Sequence, residues 1–213
     1  MKKTKSTLTL SRNFCSLLMA VIMSSFVSMT VHAENNISLG FSPYGFTKMK
    51  WMPKELPGYY YNLNYNKSWN GNISYEYRKK SLSFLAEFSY GQAKLNKFES
   101  VLTLDYAEPK TEAEFDKNLK TYGGALYLGL NFFSGSRLQF PLYVGVAYDQ
   151  NKCEEYNLGF VSLASKVRMR FYIVNNASLY VGANYKFGVE PEAKADNINW
   201  HHFTADAGVI ISF

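Results

Sequence analysis

The last part of the sequence gathers side chains that could act as nucleophile, base and acid. His201, His202, Thr204, Asp206 and Ser212 lie within twelve residues of one another. Nucleophilic catalysis requires a hydroxyl or thiol within hydrogen-bond reach of a base at an accessible site. In a strand, however, His202, Thr204 and Asp206 face one side while His201 faces the other. No recognisable nucleophile motif accompanies these residues, so we expect no enzymatic activity.

A second stretch suggests a different chemistry, because three cations alternate with three apolar residues. In KVRMRF, Lys166, Arg168 and Arg170 are interleaved with Val167, Met169 and Phe171. Basic residues alternating with apolar ones occur in nucleic-acid-binding surfaces. The formal net charge of +6 includes four cations within the first 12 residues and no anion there, so the rest carries only +2. So small a charge argues against a nucleic-acid partner.

The first 33 residues have the pattern of a secretory signal peptide. A cationic start precedes the apolar run LLMAVIM, and Val31 and Ala33 are the small residues of a cleavage site. We predict cleavage after Ala33, with an uncleaved N-terminal helix as the alternative. Beyond it Cys153 is the single cysteine, which excludes an intramolecular disulfide. We identify no metal-binding constellation and no phosphate-binding loop, and expect no cofactor.

Period-two alternation of apolar and polar residues recurs eight times and predicts eight strands. The predicted strands lie at 36–42, 72–78, 82–90, 122–132, 138–149, 161–173, 179–189 and 201–213. Their connections alternate strictly between short ones (79–81, 133–137 and 174–177) and long ones (47–68, 92–119, 150–157 and 190–199). All long connections therefore lie at one end, which predicts an all-β, antiparallel, up-and-down barrel.

The two faces of each predicted strand differ chemically, and aromatic residues mark the ends of the apolar face. One group, near the short turns, contains Tyr77, Phe84, Phe132, Phe140, Phe171 and Phe213. The other contains Phe88, Tyr90, Tyr122, Tyr148, Tyr185 and Phe187. Aromatic girdles on both sides of an aliphatic band are typical of a surface that faces lipid. We therefore predict a transmembrane barrel with a lipid-facing apolar exterior and a polar interior.

The predicted signal peptide, the eight amphipathic strands, the alternating loop lengths and the aromatic Phe213 together resemble the small bacterial outer-membrane barrels of the OmpA/OmpX type. The resemblance implies that residues 34–213 form one barrel in the outer membrane, without the periplasmic peptidoglycan-binding domain of larger members. It implies contact with outer-membrane lipid and lipopolysaccharide. It also implies that Val209, Ile211 and Phe213 form a C-terminal signal for the barrel-assembly machinery.

An eight-stranded barrel is only wide enough for side chains to fill it. Strand parity places these charged residues in the lumen: Glu76, Arg78, Glu87, Lys166, Arg168, Arg170, Lys186 and Asp206. Because buried charges must be paired, we predict an ionic network that closes the barrel, in which Glu87 and Asp206 pair with Arg168 and its cationic neighbours. A gated narrow pore or small-ligand transporter built on the same network is the alternative, and a lipid-modifying outer-membrane enzyme is a less favoured one.

The long connections are the candidate sites of interaction, since loops of such barrels carry function. The first contains four aromatic residues and a methionine, Trp51, Met52, Tyr59, Tyr60 and Tyr61, which could contact an extracellular partner or the lipid headgroups. The second contains Val101, Leu102, Leu104 and Tyr106, which could form an edge for strand addition. The sequence leaves adhesion, immune evasion and ligand capture open.

Overall fold

The computed structural model describes residues 34–53, 59–102, 118–133, 136–153, 157–191 and 196–213. They form the strands β1 (Glu34–Pro53), β2 (Tyr59–Lys79), β3 (Leu82–Leu102), β4 (Asn118–Phe132), β5 (Leu138–Lys152), β6 (Asn157–Val174), β7 (Ala177–Val189) and β8 (Asp196–Ser212). The predicted signal peptide, Leu104 and Tyr106 lie outside the described residues. Within these ranges no helix is long and apolar enough to cross a membrane.

Each strand pairs antiparallel with the next, and β8 pairs with β1 to close the sheet. Ile37 lies opposite Ile211 in the closing pair, and the backbones of Asn35 and Phe213 exchange hydrogen bonds of 3.2 and 2.9 Å. Closure pairs each strand on both sides over most of its length, whereas β3 from Leu95 to Leu102 pairs, among the described residues, with β2 alone. The eight-stranded up-and-down barrel expected from the alternation and from the OmpA/OmpX-type resemblance is confirmed.

The strands on one side of the barrel are much longer than the sequence pattern predicts. β1, β2 and β3 have 20, 21 and 21 residues. The predicted loop at 47–68 is wrong, because β1 and β2 continue as a hairpin in which Trp51 pairs with Tyr61. The predicted loop at 92–119 is wrong in its first part for the same reason, since Tyr60 pairs with Val101.

Around the half of the barrel nearer the short turns, apolar side chains point outward and polar ones inward. Leu128 and Val144, in the middle of this zone, and Leu163, nearer its upper edge, are 67%, 68% and 69% exposed. We call the zone the belt; it comprises residues 37–46, 69–77, 82–90, 122–132, 138–148, 161–173, 179–189 and 203–213. Aromatic residues such as Trp69 and Tyr90 mark its upper edge, and Phe132 and Phe171 its lower edge.

The remaining strand residues, toward the long connections, form what we call the upper section. Register shifts lie close to the boundary: one at Phe41/Tyr44 of β1, within the upper part of the belt, and two between β2 and β3, at Asn64/Tyr65 and Asn66/Trp69. A shift of one residue exchanges the inward and outward faces of a strand. In β1, Ser38 and Ser42 point inward below the shift, and Met49 and Trp51 point inward above it.

Candidate functional site

The centre of the belt interior contains a network of four charged side chains. Lys166 donates to Glu87 at 2.6 Å and also pairs with Asp206 at 3.0 Å. Arg168 donates to the same Glu87 carboxylate at 3.3 Å. We call Glu87, Lys166, Arg168 and Asp206 the central ionic cluster. All four side chains are almost completely buried, so two cations and two carboxylates compensate one another away from solvent.

Arg168 connects the central ionic cluster to the opposite wall of the barrel. It donates to the hydroxyls of Ser38 in β1 at 3.4 Å and Ser74 in β2 at 3.2 Å. Its guanidinium lies 4.3 Å from the ring centroid of Tyr180. Gly40 makes room for this tyrosine, because any side chain at position 40 would collide with the Tyr180 hydroxyl. The lumen is therefore crossed by bonds from β6 to β1, β2 and β3.

A second ionic group lies below the central cluster. The Glu76 carboxylate accepts hydrogen bonds from Arg170, from the Tyr143 hydroxyl at 2.9 Å and from the Asn36 amide at 3.2 Å. Arg78 pairs with Glu34, which is half exposed at the lower rim, and donates to the Tyr172 hydroxyl at 2.8 Å. The charges at this level are thus also paired and hydrogen-bonded.

The last predicted lumen charge lies at the upper edge of the belt. Lys186 donates to Asp149 at 2.7 Å, and both residues are buried. All eight side chains that strand parity assigns to the lumen are buried in the structure, and each has an oppositely charged partner. Tyr127, Tyr143 and Tyr180 fill the space between the pairs.

In the upper section the interior is largely apolar, although Thr47, Thr121 and Asn151 are also buried there. Its buried residues, which we call the upper core, are Met49, Trp51, Tyr61, Leu63, Tyr65, Ala93, Leu119, Phe160, Ile198 and Trp200. The Trp200 ring stacks between Phe160 and His202, with centroids 5.3 Å away in each case. Side chains of β1, β2, β3, β4, β6 and β8 meet here, so the lumen above the ionic layers is filled as well.

The residues predicted as a loop contact do not form one exposed set. Trp51 and Tyr61 point into the barrel, where they are 9% and 0% exposed. Met52 is half-buried, and Tyr60 lies on the outside with the Lys50 ammonium 4.1 Å above its ring. The side chain of Tyr59 lies outside the described residues. What is available to a partner is therefore the outer surface around Tyr60, and the other two aromatic rings stabilise the upper core.

The residues with catalytic potential on β8 are held by different partners. His202 shares a hydrogen bond of 2.9 Å with the Thr47 hydroxyl, whereas Asp206 pairs with Lys166. His201 lies on the outer surface and shares a hydrogen bond of 2.7 Å with the Tyr185 hydroxyl. Val209, Ile211 and Phe213, predicted as the assembly signal, are exposed on the outside of the belt.

The upper core is the feature that sequence reasoning missed. Its inward residues on β1 and β2 have odd numbers, whereas inward residues of the belt have even numbers in those strands. The signal that could have revealed it is the second run of alternation in KMKWM and YYYNLNY, where lysines and asparagines alternate with apolar residues. Such a run predicts a strand whose apolar face lies inside a protein surrounded by water.

Solved structures of other barrels are similar to this chain. Neisserial surface protein A is 15% identical with a TM-score of 0.46, over 83% of this chain and 97% of that chain. The outer-membrane protease OmpT of Escherichia coli is 11% identical with a TM-score of 0.46, over 86% and 99%. The attachment invasion locus protein Ail of Yersinia pestis, in complex with a heparin analogue, is 13% identical with a TM-score of 0.41, over 83% and 99%.

No protein-family model and no curated protein sequence matches the chain. Because these identities and TM-scores are low, the fold class of the protein rests on its own strand pairing and side-chain burial. It is an eight-stranded up-and-down β-barrel with a polar, ion-paired interior inside an apolar belt and a largely apolar interior above that belt.

Proposed function

We propose that the protein is an integral protein of the bacterial outer membrane, with the belt in the lipid and the upper section outside the cell. The observation that carries the proposal is the belt, where large apolar side chains are exposed around the whole barrel while charged ones are buried. Exposed apolar surface of this extent is unfavourable in water. Strands of about nine to eleven residues cross a bilayer, which matches the belt segments. Short turns of such barrels face the periplasm.

Within that location, we propose a noncatalytic role as a scaffold whose upper section is a binding surface. β1, β2 and β3 continue seven to twelve residues beyond the belt, which corresponds to roughly 20–30 Å above the membrane for tilted strands. The upper core supports this extension from inside. Ion pairs within the belt hold the walls together, so the barrel is a stable base for surface contacts.

A narrow pore is the second candidate function, because charged side chains, which could interact with a passing ion, line the lumen. Conduction would require the contacts of Arg168 with Glu87, Ser38 and Ser74 to open, and the upper core to separate. Planar-bilayer recording of the purified chain tests this alternative. We expect no discrete conductance steps; reproducible steps would replace the scaffold proposal by the pore.

The membrane location is tested by labelling cysteines from outside the cell. In a Cys153→Ser background, Lys120→Cys places a thiol on the exposed surface of the upper section, and Lys80→Cys places one in a short turn. Intact cells are treated with a membrane-impermeant maleimide. We expect labelling of Lys120→Cys only, and labelling of both after the outer membrane is permeabilised. Equal labelling in intact cells, or recovery of the protein in the soluble fraction, would contradict the proposal.

A further inference from the structure

The outer surface of the upper section contains an open groove of about 600 Å³ directly above the belt. Its polar lining includes Lys48, Lys50, Asn62, Asn64, Asn66 and Lys97. These residues occupy the outward faces of β1, β2 and β3, on the other side of the wall from the upper core. The proposed scaffold role assigns nothing to this groove.

The strand register arranges the groove in two rows. In the lower row, His201, Lys48, Asn64 and Lys97 lie side by side on β8, β1, β2 and β3. In the row above, Asn62 lies between Lys50 and Glu99. Since neighbouring strands are about 4.8 Å apart, the two lysines of the lower row stand about 10 Å apart with an amide between them.

The charge of the groove is positive. Glu99 pairs with Lys97, and the hydrogen bond and charge of that lysine lower the pKa of the carboxyl group. No carboxylate of the described residues is within ion-pair distance of Lys48 or Lys50, whose ammonium groups instead lie over the rings of Phe46 and Tyr60. Two cations are therefore held in place without an anionic partner in the part of the chain that the structure describes.

The lower end of the groove is continuous with the upper edge of the belt. His201 lines the groove, and its ring lies 4.8 Å from Phe187 and is hydrogen-bonded to Tyr185, both of which are exposed belt residues. Phe46 and Phe203 stack next to it, with centroids 5.4 Å apart. A molecule in the groove therefore lies at the height of the lipid headgroups.

We propose that this groove binds the phosphorylated sugar headgroup of an outer-leaflet glycolipid. Lysine ammonium groups bind phosphate, and asparagine amides can both donate to and accept from sugar hydroxyls. The aromatic residues at the lower end would contact the start of the acyl chains. The proposal deepens the proposed function and rests on its membrane location, which provides the glycolipid.

The groove is tested with detergent-solubilised protein and three probes, by native mass spectrometry. The probes are lipopolysaccharide with a truncated core, its dephosphorylated form, and its soluble deacylated oligosaccharide. The variant Lys48→Gln/Lys50→Gln removes the unpaired cations. The matched control Lys120→Gln/Lys152→Gln removes two exposed lysines that pair in register on β4 and β5, away from the groove.

We expect the groove variant to bind the phosphorylated glycolipid about twentyfold more weakly, since each lysine near an anionic membrane surface contributes about fivefold. The control variant should change affinity less than twofold, and the dephosphorylated probe should bind as weakly as the groove variant. Equal losses in the two variants would overturn the site. Tight binding of the deacylated oligosaccharide would show that the acyl chains are not needed, and the groove would then be a site for a soluble glycan and not for a glycolipid. Because binding is measured in detergent, failure here is distinguishable from failure of the membrane location, which cell labelling reports.

Discussion

The belt and the upper section are two parts of one continuous sheet with opposite internal chemistry. Inside the belt, Glu87, Lys166 and Arg168 form ion pairs, and outside it Leu128 and its neighbours are exposed. In the upper section, Phe160 and Trp200 stack inside while lysines and asparagines line the outside. The solvent explains the difference, because lipid accepts apolar side chains at the surface and water does not. The same barrel thus changes from an inverted arrangement to an ordinary one along its axis.

Among the changes that test this comparison, removal of a carboxylate from inside the belt should have the largest effect on stability. Glu87→Ala leaves Arg168 without a carboxylate and Lys166 with only Asp206. An unpaired buried charge costs about 3–5 kcal/mol, so we expect the free energy of unfolding in phospholipid vesicles to fall by that amount in a urea titration. The control Glu99→Ala breaks an exposed pair with Lys97 and should cost less than about 1 kcal/mol. Similar losses for both variants would show that the belt interior is solvated.

Removing an aromatic ring from the upper core should have a slightly smaller and more local effect. Phe160 is fully buried against Trp200, and Phe160→Ala should cost about 3 kcal/mol. Because this cavity lies above the belt, we expect faster amide hydrogen exchange in residues 47–53 and 91–98, with residues 82–90 unchanged. An equal increase in residues 82–90 would mean that the two sections unfold as one unit.

A charged side chain introduced on the outer surface should destabilise the belt but not the upper section. Leu128→Arg places a guanidinium in the middle of the belt, where lipid contact costs about 2–4 kcal/mol. Asn118→Arg introduces the same group on the same strand in the exposed upper section and should be neutral. Urea titrations of both variants in vesicles give the comparison. If Leu128→Arg is as stable as the control, the belt does not face lipid.

The sequence predicted the belt well because its alternation is long and uninterrupted. In β6, Lys166, Arg168 and Arg170 point inward, and Val167, Met169 and Phe171 point outward, as the period of two requires. Within the lumen, the sequence predicts Glu87 and Asp206 as partners of Arg168 and its cationic neighbours, but not which carboxylate each cation contacts. Lys166 pairs with both Glu87 and Asp206, and that depends on strand stagger around the barrel, which a single strand does not encode.

The upper section was predicted less well because it breaks the rule that identified the belt. The sequence pattern predicts a loop around Trp51 and Tyr61, because this segment has few aliphatic residues and includes Pro53 and Pro57. The register shifts at Phe41/Tyr44 and Asn66/Trp69 exchange the faces. Pro43 marks the first shift, since proline within a strand favours a bulge, but the second has no obvious sequence marker. The outer groove was missed for the same reason, because its lysines and asparagines become one surface only when β1, β2 and β3 continue as strands.

The smallest of the expected effects concerns a buried histidine just above the belt. His202 is stacked on Trp200, and burial, with the nearby Lys186 charge, lowers its pKa to about 3. In the unfolded chain the pKa of histidine is about 6.5, so below that pH the unfolded state binds a proton that the folded state does not. The stability contributed by neutral His202 is therefore complete above about pH 6.5 and declines as the pH falls toward 3.

Between pH 7.5 and pH 5.0, this difference should lower the free energy of unfolding by roughly 2 kcal/mol. His202→Gln keeps a hydrogen-bonding group near Thr47 and removes the titration, so its stability should depend less on pH by that amount. His201→Gln is the matched control on the outer surface, where the imidazole is only partly buried, and it should retain most of the pH dependence. If His202→Gln and the parent chain lose stability equally on acidification, His202 is in contact with water in the folded protein. The upper core would then not exclude solvent, and the contrast between its interior and the outer surface would not hold.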